Sequence, residues 1–197
     1  MRLLRGDHVC SMYSTRAELA NEVATFLAEG LQRREQCWYL ASGDETEAIQ
    51  AGLQALNIDV AWNLGRRALK FLSAEDAYII RGTFDPEVTV RLFDKAIDQA
   101  YKDGFAGFRA AAEMSWALNR EDTIYLLIGY EALLRSLFAS CRAIGLCLYD
   151  ATRMPLAATN GALATHPIAR SGGEYGRNPL YRPNGPHFHT RGGALGE

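Results

Sequence analysis

Long apolar runs, paired cysteine motifs and a strong net charge are all missing from this sequence of 197 residues. No run approaches the ~20 apolar residues that a membrane span requires. The opening MRLLRGDHV has too short an apolar core for a secretory signal. A formal net charge of −2 gives no sign of a surface for nucleic acid or anionic lipid. We therefore expect a cytoplasmic protein that binds neither nucleic acid nor membrane directly.

The four cysteines show no CxxC spacing, and three of them lie inside apolar segments. They are expected to be reduced, buried thiols. His8 and Cys10 alternate onto one face of the first predicted strand, and Cys147 lies near them if its strand is the neighbour. Such soft ligands suit zinc. However, one HxC pair and a distant cysteine form a weak metal signal, so the sequence predicts small core thiols, no metal and no cofactor.

A phosphate-binding loop is also missing. The turn after the first predicted strand, SMYSTRAEL, contains no glycine, and its one cation is Arg16. In a P-loop, glycines let backbone amides converge on phosphate oxygens, and a lysine neutralises charge there. The motifs G-x-S-x-G, H-E-x-x-H and G-x-G-x-x-G do not occur either. Tight binding of a nucleoside triphosphate is therefore not expected, although this helix N-terminus suits a smaller anion or a polar ligand.

The segments that are present alternate between short apolar strands and amphipathic helices. HVCSMY, CWYLAS, ALKFLSAEDAYI, GFAGFRAAAEM and AIGLCLYD read as five strand regions, the third ending in a turn. Thr15 with Glu18 predicts a capping box for the first helix, and Asp85 with Pro86 opens another. Strands separated by helices imply right-handed crossovers. The sequence predicts a three-layer α/β fold, a mostly parallel sheet with helices on both faces.

The composition changes after LATHPI. Residues 171–197 hold seven of the 18 glycines and three of the six prolines, with almost no aliphatic side chains. Such a segment buries too little apolar area to offset the entropy of ordering it. We expect one domain over residues 1–168 and a flexible tail over residues 169–197, whose removal from residue 171 onward changes stability little.

Several stretches together resemble the MEDS family, the methanogen/methylotroph-type sensory domain. They are HVCSMYSTRAELANEVATFLAEGLQRREQCWYLAS, YIIRGTFDPEVTVRLF, GFAGFRAAAEMSWAL, YEALLRSL, GLCLYD and THPI, and they span roughly residues 6–168. The opening also resembles the RecA-like core of circadian-clock-type ATPases. The resemblance implies a RecA-like fold without its ATP site. It further implies the sensing of small molecules, proposed for the family to be simple hydrocarbon derivatives, in prokaryotic signal transduction and transcription regulation.

In an open parallel sheet, ligands bind at the carboxyl ends of the strands. The candidate ligand-binding residues there are Tyr13, Ser14, Thr15, Arg16, Arg109, Glu113, Trp116, Tyr149 and Asp150, with Ser42, Asp44, Met114 and Arg153 beside them.

Each of these candidates also has a structural interpretation. In the ligand-binding interpretation, Arg109 and Glu113 give the pocket one cation and one carboxylate. In the structural interpretation, they form an internal ion pair with each other, or pair with Glu131 or Asp150. Trp116 and Tyr149 form an apolar wall for a ligand or belong to the core. Glu131 needs a structural hydrogen bond in its apolar helix, and His166 is a capping or packing residue.

The leading hypothesis is a non-enzymatic sensory domain that binds a small organic ligand and signals through a regulatory protein partner or by self-association. One alternative is a small enzyme that uses Glu113 or Asp150 as acid or base. The other is a structural interaction scaffold whose pocket is closed by side chains.

Overall fold

A computed structural model describes residues 1–41, 44–80, 82–119, 121–140 and 142–183. The strands are β1 His8–Tyr13, β2 Gln36–Ala41, β3 Leu69–Ser73, β4 Ile79–Ile80, β5 Thr83–Phe84, β6 Phe108–Glu113, β7 Ala143–Asp150, β8 Ile168–Ser171 and β9 Glu174–Arg177. The helices are α1 Arg16–Gln32, α2 Thr46–Ala55, α3 Val60–Gly65, α4 Ala74–Tyr78, α5 Pro86–Lys102, α6 Glu121–Ala139 and α7 Leu156–Thr165, with a short 3-10 helix at Ser115–Asn119.

Seven strands form one sheet in the order β3-β2-β6-β7-β1-β8-β9. Every pairing is parallel except that of β8 with β9. In the register of β1 and β7, Cys10 lies opposite Cys147. Strands β4 and β5 form a separate antiparallel pair. The predicted three-layer, mostly parallel α/β fold is confirmed.

Two apolar cores cover the two faces of the sheet. One core joins α1, α2 and α3 to side chains such as Val9 and Leu146. The other core joins α5, α6 and α7 to the strand side chains that point to the opposite face of the sheet, which include Cys10 and Cys147. Because both faces are buried, β7 is apolar along almost its whole length. In the described part of the chain, no helix is long and apolar enough to cross a membrane.

Helix starts follow the local sequence signals. The Thr15 side chain accepts a hydrogen bond from the Glu18 amide, and Glu18 reaches back to the Thr15 backbone, which completes the predicted capping box. Asp85 caps α5, with Pro86 in its first turn. Gly145 allows α6 to approach β7, because a Cβ there would lie 2.3 Å from the Phe138 ring.

The segment after residue 168 differs from the sequence-based expectation. Residues 168–177 form β8 and β9, and β8 pairs with β1. The hairpin is fixed by polar contacts: Arg170 and Tyr175 both donate hydrogen bonds to the buried Glu22 of α1. These side-chain hydrogen bonds add to the few apolar contacts of the segment, which come from Ile168 and Tyr175. Residues 184–197, the rest of the predicted tail, lie outside the described residues.

Candidate functional site

A cavity of about 680 Å³ opens at the carboxyl ends of β1, β3, β6 and β7. This is the edge at which an open parallel sheet leaves space between its crossovers. The lining residues are Tyr13, Ser14, Arg16, Leu19, Glu45, Thr46, Phe71, Leu72, Ser73, Ala74, Glu75, Ile79, Glu113, Ser115, Trp116, Thr123, Asp150 and Arg153.

A buried hydrogen-bond network of Tyr13, Glu113 and Ser115 forms part of the cavity wall. The Tyr13 hydroxyl donates to Glu113 Oε1 at 2.8 Å, and the Ser115 amide donates to both carboxylate oxygens at 3.0 Å. Burial, together with the neighbouring Glu113 carboxylate, raises the pKa of the Tyr13 hydroxyl well above its usual range. Tyr13 therefore stays protonated and acts as a donor.

Carboxylates outnumber cations around the cavity. Glu45, Glu75, Glu113 and Asp150 line it, against Arg16 and Arg153. The guanidinium of Arg16 is also paired with Asp44 at 2.7 Å, and both side chains are about four-fifths exposed. Burial raises the pKa of Glu45, with further contributions from nearby acidic groups. This negative field would repel an anionic ligand, but it would not repel a neutral or cationic one.

One wall of the cavity is aromatic. Trp116 stacks on Tyr78 with ring centroids 4.4 Å apart, and Phe84 contacts Trp116 edge-on at 4.7 Å. Among the described residues, the indole Nε1 of Trp116 is buried without a hydrogen-bond partner. A buried donor without a partner is costly. Glu45 also lines the cavity, and its carboxylate lies near the Tyr39 hydroxyl.

Six of the nine predicted site residues line the cavity: Tyr13, Ser14, Arg16, Glu113, Trp116 and Asp150. Thr15, Arg109 and Tyr149 do not. Thr15 is occupied as the helix cap. Tyr149 is buried on the opposite face of the sheet from Tyr13. Ser42 lies outside the described residues.

Arg109 lies near the other end of β6. It is fully buried, and its Nε donates to Glu35 at 2.7 Å while Nη1 donates to Glu29 at 3.0 Å. Arg109 and Glu113 are four residues apart on one face, about 13 Å along an extended strand. The pocket of one cation and one carboxylate is therefore not formed, and the partners of Arg109 are neither Glu131 nor Asp150. Its ion pairs with Glu29 and Glu35 join β6 to the end of α1 and the turn after it.

Sequence reasoning missed Glu45, Phe71, Ser115 and Thr123 of the cavity. Glu45 follows β2, and Phe71 lies within β3. The stretch ALKFLSAEDAYI was predicted as a strand followed by a turn, with no end given for the strand. In the structure β3 ends at Ser73 and α4 follows at once. Without that end, the contribution of β3 to the cavity was not predicted.

The two acid/base candidates are held by structural hydrogen bonds. Both oxygens of Glu113 accept bonds, as described above. Asp150 Oδ1 accepts from the Thr152 amide at 2.9 Å and from the Thr152 hydroxyl at 2.6 Å. The contacts of Asp150 with Thr152 fix the turn after β7.

A second polar group lies in the core beside α6 and α7. Glu131, Cys147, His8 and His166 are all buried there, and the Tyr149 hydroxyl donates to Glu131 Oε1 at 2.6 Å. Burial lowers the pKa of both histidines to about 3 and raises that of Glu131. Glu131 thus has the hydrogen-bond partner that the sequence required. Cys10, Cys37 and Cys147 are buried free thiols, as predicted, and Cys141 lies outside the described residues.

The sequence profile of one family, described as "MEthanogen/methylotroph, DcmR Sensory domain" (MEDS), matches residues 7–167. The match spans most of the chain. The protein belongs to the MEDS family. A search of curated proteins found no match for this MEDS domain.

Solved structures with the same fold are RecA-like proteins of low sequence identity. A KaiC-like protein from Pyrococcus horikoshii OT3 is 9% identical, with a TM-score of 0.58 over 84% of this chain and 70% of that one. The flagellar accessory protein FlaH from Methanocaldococcus jannaschii is 12% identical, with a TM-score of 0.56 over 88% and 76%. An uncharacterized protein from Pyrococcus horikoshii, in complex with an unknown peptide, is 13% identical, with a TM-score of 0.62 over 85% and 78%. At these identities the likeness establishes the fold alone, and the predicted RecA-like relationship is confirmed.

Proposed function

We propose that this MEDS domain is a non-enzymatic sensor that binds a small, uncharged or cationic organic molecule in the cavity at the strand ends. The observation that carries the proposal is the cavity of about 680 Å³ at the strand ends, which Trp116 lines together with the carboxylates of Glu45 and Glu113. A carboxylate accepts hydrogen bonds, so a ligand with a hydroxyl or amine group suits this lining. Membership of a sensory-domain family supports the same role.

The size and lining of the cavity fit this ligand class. A volume of about 680 Å³ is within the range of small-molecule sites. The face of Trp116 offers apolar contact, which contributes about 25 cal/mol per Å² of apolar area buried. A ligand of few atoms gains a limited total binding free energy, so the expected affinity is modest. The excess of carboxylates argues against phosphates and carboxylic acids.

The output of the sensor is proposed to be contact with a regulatory protein partner or with a second copy of the chain. Leu92 on α5, with Tyr125 and Leu133 on α6, expose large apolar side chains to solvent. Helices α5 and α6 pack against each other, so these side chains belong to one layer of the fold. Mass measurement by light scattering, with and without ligand, distinguishes self-association from dependence on another protein.

Tryptophan fluorescence tests the sensor proposal directly. The chain has three tryptophans, and a Trp38→Phe/Trp62→Phe variant leaves Trp116 as the reporter. We expect small alcohols or amines to change its emission in a saturable way, while acetate and inorganic phosphate do not. Glu45→Gln should weaken an amine more than an alcohol. The matched control is Glu75→Gln, because Glu75 also lines the cavity but is exposed.

Two results would count against a sensor. A cavity that gives no response to any probe while the protein is folded by circular dichroism favours an interaction scaffold. Turnover of a bound probe that is abolished by Glu113→Gln favours an enzyme. Turnover is not expected, because both oxygens of Glu113 are held by structural hydrogen bonds.

A further inference from the structure

Four metal-binding side chains meet in the core on the side of the sheet that carries α6 and α7. They are His8 from β1, Glu131 from α6, Cys147 from β7 and His166, which follows α7. Each side chain is at most 4% exposed. One donor atom from each residue lies within 4.8 Å of the others. Four separate elements therefore converge on one point.

The distances match the edges of a metal coordination shell. His8 Nε2 and His166 Nε2 each lie 3.3 Å from Glu131 Oε2, and His8 Nε2 lies 3.4 Å from Cys147 Sγ. Zinc bonds of about 2.0–2.3 Å in a tetrahedron place neighbouring donor atoms about 3.3–3.6 Å apart. The longest donor separation, up to 4.8 Å, must shorten by about 1 Å to complete the shell.

The surrounding hydrogen bonds orient the donors. His166 Nδ1 lies 2.7 Å from the Ala162 carbonyl oxygen, which can only accept, so Nδ1 carries the proton and Nε2 carries the lone pair. Within the described part of the chain, that Nε2 atom has no hydrogen-bond partner. The Tyr149 hydroxyl occupies Glu131 Oε1 and leaves Oε2 to the cluster. Such outer contacts are typical around metal ligands.

The charge of Glu131 also calls for a cation. A buried carboxylate is costly unless it is paired or coordinates a metal. Among the described residues, no lysine or arginine forms an ion pair with Glu131, and its only basic neighbours at that distance are the two imidazoles. A divalent ion would supply the missing positive charge.

We propose that His8, Glu131, Cys147 and His166 bind a single divalent transition-metal ion, with Zn²⁺ the best match to two imidazoles, a carboxylate and a thiolate. Cys147 loses its thiol proton to solvent when the metal binds. With four protein ligands the coordination shell is closed, which is the pattern of a structural zinc site. The ion would join α6 and α7 to the two central strands β1 and β7.

The site also touches the wall of the ligand cavity through aromatic packing. Tyr130, next to Glu131, contacts Tyr78 edge-on with centroids 5.8 Å apart, and Tyr78 stacks on Trp116. The metal would therefore fix the helix that supports this wall. The metal inference does not rest on the proposed ligand, since its residues and its test are separate.

Metal analysis of the purified full chain tests the proposal. We expect about one zinc ion per chain after expression in zinc-supplemented medium. Refolding from denaturant with Co²⁺ in place of zinc should give the thiolate-to-cobalt charge-transfer band and the intense visible bands of tetrahedral cobalt. Cys147→Ser should lose the charge-transfer band, and His166→Gln should bind less metal. Tyr149→Phe should lower the affinity by about 10-fold, measured by competition with a chelating dye.

The matched control is Cys10→Ser. Cys10 is buried on the same face and lies opposite Cys147 in the sheet, but its sulfur is not one of the four donors. The Cys10→Ser variant should bind the metal and give the same cobalt spectrum as the wild type. Wild-type protein without stoichiometric metal and without a cobalt thiolate band overturns the proposal, even if the ligand variants fail to fold. So does a band that survives in Cys147→Ser.

Discussion

The Tyr13 hydroxyl donates a hydrogen bond to Glu113 Oε1 at 2.8 Å, which joins the carboxyl ends of β1 and β6. These strands are not neighbours, because β7 lies between them in the sheet. The bond therefore spans the end of the central strand beneath the cavity. It fixes the position of a buried carboxylate at the proposed ligand site.

Removing the Tyr13 hydroxyl should reduce stability. In Tyr13→Phe, the buried Glu113 loses one of its donors, which is expected to lower the free energy of unfolding by about 1–3 kcal/mol. Urea denaturation measures the change. Tyr125→Phe is the control, because Tyr125 is 71% exposed and should change stability by less than about 0.5 kcal/mol. Equal effects of the two substitutions would contradict the assigned role of the Tyr13–Glu113 bond.

Arg109 should be essential for folding stability and dispensable for ligand binding. Arg109→Met leaves Glu35 buried without its cation, an arrangement that typically costs about 3–5 kcal/mol. Adding Glu35→Gln should recover part of that loss, because it removes the unpaired charge. The exposed Arg16–Asp44 pair is the control, and Arg16→Met should cost less than about 1 kcal/mol. A lower affinity for the ligand probe in a folded Arg109→Met variant would show that Arg109 belongs to the binding site.

The β8–β9 hairpin should contribute to stability although its sequence is rich in glycine. Arg170→Met removes the cation that contacts the buried Glu22, and Tyr175→Phe removes a second donor. Truncation after Pro167 removes both contacts and the pairing with β1, so we expect the melting midpoint to fall by more than about 5 °C. Deletion of residues 184–197 is the matched truncation, and its composition predicts little change. Equal midpoints for the two truncations would show that the hairpin is not needed.

ATP with Mg²⁺ should not bind tightly. The first turn has neither glycine nor lysine, and the carboxylates of Glu45, Glu113 and Asp150 line the space that phosphates would enter. Equilibrium dialysis with labelled ATP should show no saturable binding in the micromolar range. Arg16→Ala should leave that result unchanged. Micromolar affinity that depends on Arg16 would overturn the inference that this RecA-like fold has no nucleotide site.

The order of the five strands β1, β2, β3, β6 and β7 was determined by the sequence itself. Apolar periodicity, the Thr15–Glu18 capping box and the Asp85–Pro86 helix start are local signals, and the structure has them where the sequence placed them. The rule that ligands bind at the carboxyl ends of parallel strands also selected nine candidates, six of which line the cavity. It succeeded there because it needs only the ends of β1, β6 and β7. It did not find the residues beside β3, because the sequence did not show where that strand ends.

Tertiary structure alone decided which polar groups meet. Arg109 and Glu113 share a face of β6, yet Arg109 pairs with Glu29 of α1 and with Glu35 after it, while Glu113 accepts from Tyr13 of β1. These partners are far away in sequence. His8, Glu131, Cys147 and His166 are spread over most of the chain, and only the order of the strands and the packing of α6 and α7 bring them together. The hairpin at residues 168–177 depends in the same way on Glu22. Local sequence encodes the elements because their signals are short-range, whereas ion pairs and ligand sets depend on distances between elements that no local pattern specifies.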